Sequence, residues 1–143
     1  MSIDRLQAHY GFTTMPFSRN VPPQGLHPHP AHREAVARIQ WCVTQRQLGV
    51  ITGEVGAGKT VAVRAALTSL EPARHQIIYI ADPTITMRGI HTTIVTALGG
   101  QPAFFSGVLA SQTARLLTGE LDERARLTVV VIDEAHLLGN TDL

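Results

Sequence analysis

Residues 49–60 read "GVITGEVGAGKT" and contain Lys59, the only lysine among the 143 residues of this chain. Lysine and arginine together number 12, so the 11 other basic residues are all arginines. A GC-rich coding sequence explains a general preference for arginine, but it does not explain the single exception. The position of Lys59 therefore needs a physical reason.

The stretch matches the pattern G-x-x-x-x-G-K-[ST] with Gly53, Gly58, Lys59 and Thr60. It follows a predicted strand and opens a predicted helix. Glycines let the backbone curl so that several N–H groups converge on one phosphate, and the helix adds its positive end. A compact ammonium suits this narrow cradle better than a broad guanidinium does, which explains Lys59. The alternative is a glycine-rich turn with an incidental lysine.

The predicted nucleotide-binding residues are continuous in sequence: Gly53, Glu54, Val55, Gly56, Ala57, Gly58, Lys59, Thr60 and Val61. Lys59 is also a predicted catalytic residue, because the motif places its ammonium between the β- and γ-phosphates. The Thr60 hydroxyl is a predicted Mg²⁺ ligand. The predicted cofactors are therefore ATP and Mg²⁺.

A second motif ends the run "LTVVVIDE", residues 127–134, whose β-branched residues predict a strand buried on both faces. Asp133 is a predicted Mg²⁺ ligand, and Glu134 is the predicted general base that polarises the attacking water. Strand alternation directs the two side chains to opposite faces unless the backbone turns there. A solvated acidic turn is the alternative. His136 is either a γ-phosphate sensor or a surface histidine.

The remaining sequence alternates helices and strands. Apolar spacing and Gly or Pro stops predict helices at residues 31–46, 60–70, 87–100 and 106–121, and strands at 47–52 and 75–82. Residues 1–30 are predicted to be irregular, since residues 15–30 hold five prolines. The alternation predicts the α/β class with a parallel sheet.

Composition excludes several classes of protein. The net charge of +1 indicates neither a nucleic-acid binder nor a binder of acidic substrates from the whole-chain field. Cys42 is the single cysteine, so there is no disulfide framework or thiol metal cluster. His27, His29 and His32 lack an acidic or cysteine neighbour, which disfavours a metal site. No signal peptide or run of about 18 apolar residues is visible, so we expect a cytoplasmic protein without a membrane partner.

Four blocks together resemble the ExeA-like ATPases of the AAA+ class. They are "HYGFTTMPFS" (9–18), "HREAVARIQWCV" (32–43), "ITGEVGAGKT" (51–60) and "VVVIDEAHLL" (129–138). The last two match the Walker A and Walker B segments of that family. The resemblance implies a P-loop NTPase with three α/β/α layers and a mostly parallel sheet. It also implies ATP on residues 53–60, Mg²⁺ on Asp133 and water activation by Glu134.

Two branches of the family are relevant to function. Secretion-associated members carry membrane and cell-wall regions that have no counterpart here, which favours the helpers of DNA transposition. That branch implies a transposase-like partner, DNA as a further partner and self-assembly of the full-length protein. A secretion-associated ExeA-type ATPase and a non-hydrolysing nucleotide-binding fragment remain alternatives. A DEAH-box helicase and a GTPase are disfavoured, because residues 61–126 lack helicase motifs and no N-K-x-D motif occurs.

The sequence departs from the family in ending at "GNTDL", residues 139–143. AAA+ domains continue into a sensor strand, an arginine finger and a helical lid. Residues 31–143 are therefore predicted to be the N-terminal part of an AAA+ domain, truncated after the Walker B strand. The missing strand would leave unpaired edges on two neighbours. Hydrolysis of ATP to ADP and phosphate is expected of the full-length form.

Overall fold

The structure is a computed structural model that describes residues 3–13, 29–81 and 86–138. The chain divides into two compact units, Met1–Thr68 and Ser69–Leu143. The helices and strands are α1 (Ile3–Tyr10), α2 (Pro30–Thr44), α3 (Lys59–Thr68), β1 (His75–Ile80), α4 (Met87–Ala97), α5 (Ser106–Asp122) and β2 (Leu127–Ile132). Some predictions fall on positions outside the described residues. These positions are residues 14–28, which include His27, then Asp82 and residues 139–143.

Helix α1 corrects the prediction that the first 30 residues are irregular. The prolines behind that prediction all follow residue 15, so they do not oppose a helix before it. Asp4 in the first turn and His9 in the last turn suit the helix dipole. Gly11, with φ of 64°, then adopts the left-handed conformation that commonly ends helices.

Helix α2 forms close to its predicted limits and packs against α3. Pro30 stands in its first turn, where a missing N–H costs nothing, and His29 Nδ1 accepts a hydrogen bond from Ala31 N at 3.3 Å. The predicted apolar face is half-buried throughout, and its members are Ala35, Val36, Ile39, Cys42 and Val43. The amphipathic prediction for this helix is therefore confirmed.

The strand predicted at residues 47–52 is not present, so that prediction was wrong. This segment has no regular secondary structure and is exposed, with Leu48 at 94% and Val50 at 80% of their full accessibility. A strand exists only where a neighbour accepts and donates its backbone hydrogen bonds. Among the residues that the structure describes, the only strand ladder joins β1 to β2. The apolar pattern of residues 47–52 thus has no partner strand here.

The second unit contains a parallel sheet of two strands, which confirms the predicted α/β class. β1 and β2 pair in register from His75 opposite Leu127 to Ile80 opposite Ile132. One face of this sheet forms the core of the unit. The buried members of that core are Ile78, Ile80, Ile90 and Ile94, and Val130 and Ile132 pack against them.

The other face of the sheet carries the alternate residues of both strands. Ile77 and Tyr79 lie opposite Val129 and Val131 on that face. Ile77 is 37% exposed, and every residue of β2 is half-buried. The expectation that β2 is buried on both faces is therefore corrected to partial burial.

A buried carboxylate joins the end of α5 to the sheet. The Glu120 side chain is 6% exposed, accepts a hydrogen bond from Arg124 Nη1, and has Oε2 at 3.9 Å from Arg126 Nε. Arg126 also donates from its backbone N to Glu120 O at 2.9 Å and from Nη2 to Gln76 Oε1 on β1. This group, the Glu120 cluster, fixes the turn between α5 and β2.

A second polar contact joins α4 to α5. The buried Thr113 hydroxyl donates to Leu109 O at 2.9 Å, and His91 Nδ1 lies 3.1 Å from the same hydroxyl oxygen. No helix within the described ranges has the length and apolar character that crossing a bilayer requires.

Candidate nucleotide site

The glycine-rich loop, residues 53–60, curls tightly before α3. Ala57 N donates to Glu54 O at 3.2 Å, which closes a turn over residues 54–57. Gly56 and Gly58 have φ values of 81° and 84°, in the left-handed region where a side chain is strained. Gly58 O then accepts from Ala62 N at 2.9 Å, the first backbone bond of α3. The loop therefore requires glycine at these two positions.

The Lys59 ammonium lies against the loop's own backbone. Its Nζ donates to Gly53 O at 2.9 Å and to Glu54 O at 3.0 Å. A Cβ on Gly53 would stand 3.7 Å from Ala57 Cβ and 3.8 Å from Lys59 Cδ, so the loop closes around the lysine stem. An ammonium has three N–H donors, and these two carbonyls orient it inside the curl. The positive charge is thus held against the backbone of residues 53 and 54.

All nine predicted nucleotide-binding residues lie in this loop and the first turn of α3. Residues 54–57 are exposed, while Lys59 and Thr60 are half-buried. The first N–H groups of an α-helix have no partner within the helix and present a partial positive charge. The segment therefore combines a cation and helix-terminal donors in nine consecutive residues, which is suitable chemistry for a phosphate chain.

The acidic pair, Asp133 and Glu134, follows the last residue of β2. Asp133 N continues the ladder by donating to Ile80 O at 2.9 Å, and its side chain is half-buried. Tyr79 Oη donates to Asp133 Oδ2, and Glu134 N donates to Asp133 Oδ1 at 3.0 Å. Both oxygens of the Asp133 carboxylate are therefore oriented by neighbouring residues of the second unit.

The backbone turns sharply at Glu134. Its φ and ψ of 51° and 34° are left-handed, which is uncommon for a residue other than glycine. Its carboxylate oxygen Oε2 lies 3.4 Å from His136 Nδ1, and both side chains are mostly exposed. The backbone turn expected between the two acidic residues is thus present in the structure.

The acidic pair has chemistry that fits Mg²⁺. Magnesium takes oxygen ligands and is usually held by one or two carboxylates together with substrate phosphates. A carboxylate has about four acceptor positions, so two hydrogen bonds are compatible with coordination. In the described part of the chain, no three His, Cys, Asp or Glu side chains are grouped as a metal cluster. Asp133 and Thr60 remain the predicted ligands.

Sequence reasoning missed Tyr79. The residue stands in the apolar run "HQIIYI" of β1, and 54 positions separate it from Asp133. Its only signal was a hydroxyl in a strand otherwise rich in isoleucine.

Comparison with known proteins defines the class. The family described as "AAA domain" matches residues 43–143, which is more than half of the chain. That stretch includes both the glycine-rich loop and the acidic pair. The chain belongs to this AAA family and has the α/β fold of a P-loop NTPase, and it is similar to the ExeA-like members.

The chain is also similar to a curated protein. General secretion pathway protein A of Aeromonas hydrophila is 30% identical over 138 residues, which cover 90% of this chain and 24% of that protein. The chain thus spans about a quarter of the length of this relative. No solved structure matches the chain significantly.

Proposed function

We propose that this chain binds ATP with Mg²⁺ and that the full-length form hydrolyses it to ADP and phosphate. The observation that carries the proposal is the Lys59 ammonium, which two loop carbonyls hold inside the curl at 2.9 and 3.0 Å. A cation fixed at the start of a helix is suited to the β- and γ-phosphates. Membership of the AAA family supports the same nucleotide.

Each residue has a distinct role in the proposed reaction. The N–H groups of residues 53–61 bind the phosphates, and Lys59 neutralises charge that develops on the oxygen leaving the γ-phosphorus. Thr60 and Asp133 would hold Mg²⁺, which supplies further charge neutralisation when bound. Glu134 accepts a proton from water as the water oxygen attacks the γ-phosphorus and the bond to ADP breaks.

Glu134 must leave His136 to act as this base. Their contact is exposed on both sides, with 53% of the Glu134 side chain and 69% of the His136 side chain accessible. Exposed ion pairs contribute only about 0–1 kcal/mol. The contact is therefore a small barrier to movement of the Glu134 carboxylate.

Thermal unfolding with and without Mg-ATP tests nucleotide binding. A ligand at 100 times its Kd adds about 2.7 kcal/mol to the stability of the folded state. We expect an upward shift of the unfolding midpoint that Lys59→Ala abolishes, with the ligand-free midpoint of the variant unchanged. An identical shift in both proteins would overturn the assignment of the loop.

Turnover is tested separately from binding. In the full-length form we expect Mg²⁺-dependent release of phosphate that Glu134→Gln abolishes, while the stabilisation by Mg-ATP persists in that variant. Stabilisation without any turnover in the full-length form would instead support the non-hydrolysing alternative.

For the cellular role, we infer that ATP turnover serves a DNA-transposition assembly with a transposase-like partner. The ExeA-like family includes relatives of transposition helpers, which motivates this role, and similarity to General secretion pathway protein A supports a secretion-associated role equally well. Duplex DNA should raise the ATPase rate in the first case, and its binding should weaken steeply with salt. An unchanged rate and no salt-dependent binding would favour the secretion-associated role. Self-assembly and the cytoplasmic location stay predictions.

A further inference from the structure

Tyr79 reaches the acidic pair from the neighbouring strand. In the β1–β2 register Tyr79 lies opposite Val131, and Asp133 follows two residues later on the same face. The Tyr79 hydroxyl donates a hydrogen bond to Asp133 Oδ2. Since Asp133 N is bonded to Ile80 O at 2.9 Å, the carboxylate is tied to β1 through both its backbone and its side chain.

The second oxygen of the same carboxylate is held from the other side. Glu134 N donates to Asp133 Oδ1 at 3.0 Å, from a residue whose backbone is left-handed. Two donors at different oxygens define the plane of the carboxylate, which one donor alone does not. The phenol of Tyr79 is one of these two donors.

We propose that Tyr79 is a positioning residue that presets the Asp133 carboxylate for Mg²⁺. The inference rests on the proposed function, in which Asp133 belongs to the magnesium shell. Mg²⁺ demands near-ideal octahedral geometry, so a carboxylate fixed in advance binds it better than one that must be ordered. Loss of a partner that orients a ligand typically lowers metal affinity or activity by about 10- to 100-fold.

Packing alone does not require this hydroxyl. Ile78 and Ile80, which flank Tyr79 in β1, face the core, whereas Tyr79 is half-buried on the opposite face. A phenylalanine ring would fill the same space. Tyr79→Phe therefore removes the donor and keeps the ring, and Ile77→Val on the same strand and face is the matched control.

The test measures the contribution of the metal to nucleotide affinity. The Kd of ATP is measured by calorimetry for the full chain, in excess Mg²⁺ and in EDTA, for the parent, Tyr79→Phe, Ile77→Val and Asp133→Asn. We expect Tyr79→Phe to keep the parent's Kd in EDTA and to lose about 10-fold of the tightening by Mg²⁺. Ile77→Val should keep the tightening, and Asp133→Asn should lose it.

The variants distinguish failure of this inference from failure of the proposed function. Full tightening in Tyr79→Phe, with loss in Asp133→Asn, would overturn the positioning role alone. Tightening retained in Asp133→Asn, or absent from the parent, would overturn the magnesium assignment and this inference with it. If Tyr79→Phe fails to fold, 4-aminophenylalanine at position 79 restores a donor at the same place. It should then restore the tightening, and a folded protein without that tightening would contradict the proposal.

Discussion

At the scale of single residues, the loop around Lys59 fits an ammonium better than a guanidinium of the same charge. Its ammonium lies between the carbonyls of Gly53 and Glu54 in a loop that closes around the side-chain stem. A guanidinium is planar and wider, and it presents its donors in a fixed fork. The loop therefore selects for the shape of the cation as well as for its charge.

We expect Lys59→Arg to weaken ATP binding by about 10- to 100-fold, equivalent to about 1.4–2.7 kcal/mol, although the charge is retained. Calorimetric titration with Mg-ATP measures the loss. Arg64→Lys, an exposed exchange of the same two residue types in α3, is the control and should bind like the parent. Parent-like affinity in Lys59→Arg would show that charge alone is sufficient.

Two substitutions of Glu134 should change the free energy of unfolding and the ATP turnover differently, because the backbone of this residue is left-handed. A residue other than glycine in this conformation costs about 1–2 kcal/mol, and such strain is often retained at functional sites. We expect Glu134→Gly to raise the free energy of unfolding by about 1 kcal/mol while abolishing ATP turnover. Glu134→Gln should abolish turnover with little change in stability.

Chemical denaturation and a phosphate-release assay measure the two effects of the Glu134 variants. A glycine variant less stable than the glutamine variant would contradict the assignment of strain to this backbone turn.

Residue types revealed the loop and the acidic pair but not how they are oriented. The spacing around Gly58 and Lys59 was sufficient to predict a phosphate-binding loop, because the chemistry needs those types in that order. The Tyr79–Asp133 contact depends on the register between two parallel strands 54 positions apart. No local pattern in the sequence encodes that register.

At the scale of elements, the helices were easier to predict than the strands. Proline and glycine mark where α2 and α4 begin or end, and apolar spacing marks their faces. A strand needs a partner as well as a pattern, which explains why residues 47–52 resembled a strand and did not form one. Helix α1 was missed because the prolines that follow it dominated the composition of the N-terminal segment.

The Glu120 cluster leads to a prediction about the join between α5 and β2. Glu120 is 6% exposed and joins Arg124 and Arg126 at the turn from α5 into β2. We expect Glu120→Ala to lower the free energy of unfolding by about 1–3 kcal/mol, because it removes the carboxylate that pairs with both guanidinium groups and leaves the partly buried Arg126 charge without its ion-pair partner. Urea denaturation measures the loss.

Glu34→Ala is the matched control for the Glu120 variant. It removes the exposed pair with Arg38 in α2, whose side chains are 62% and 78% accessible, and should cost about 0.5 kcal/mol or less. Equal losses in the two variants would contradict a structural role for the burial of Glu120.

At the scale of the whole molecule, the chain has two compact units that divide after Thr68. The sequence suggested a change of organisation at residue 30 instead, where the proline-rich stretch ends. Composition records such local changes. A division between compact units reflects contacts between residues distant in sequence, which composition does not record.

Hydrogen exchange across the whole chain should show which segments are paired. Amides of the β1–β2 ladder should exchange at least about 100-fold more slowly than those of residues 48–52, since unpaired segments open at almost no cost. Mass spectrometry of short peptides resolves the two regions. Comparable protection of residues 48–52 would show that they form a paired strand in solution.

The solitary lysine also has a consequence for chemical labelling. Lys59 carries the only side-chain amine in the sequence, and the loop carbonyls hold that amine at 2.9 and 3.0 Å. An amine-selective acylating reagent therefore has one side-chain amine to modify besides the amino terminus, and acylation of Lys59 removes the charge on which phosphate binding depends. Occupied loops should resist the reagent, so the acylated fraction would count the empty ones. Acylation of Lys59 would thus measure how much of the protein has nucleotide in its loop, and each acylated molecule would lose nucleotide binding.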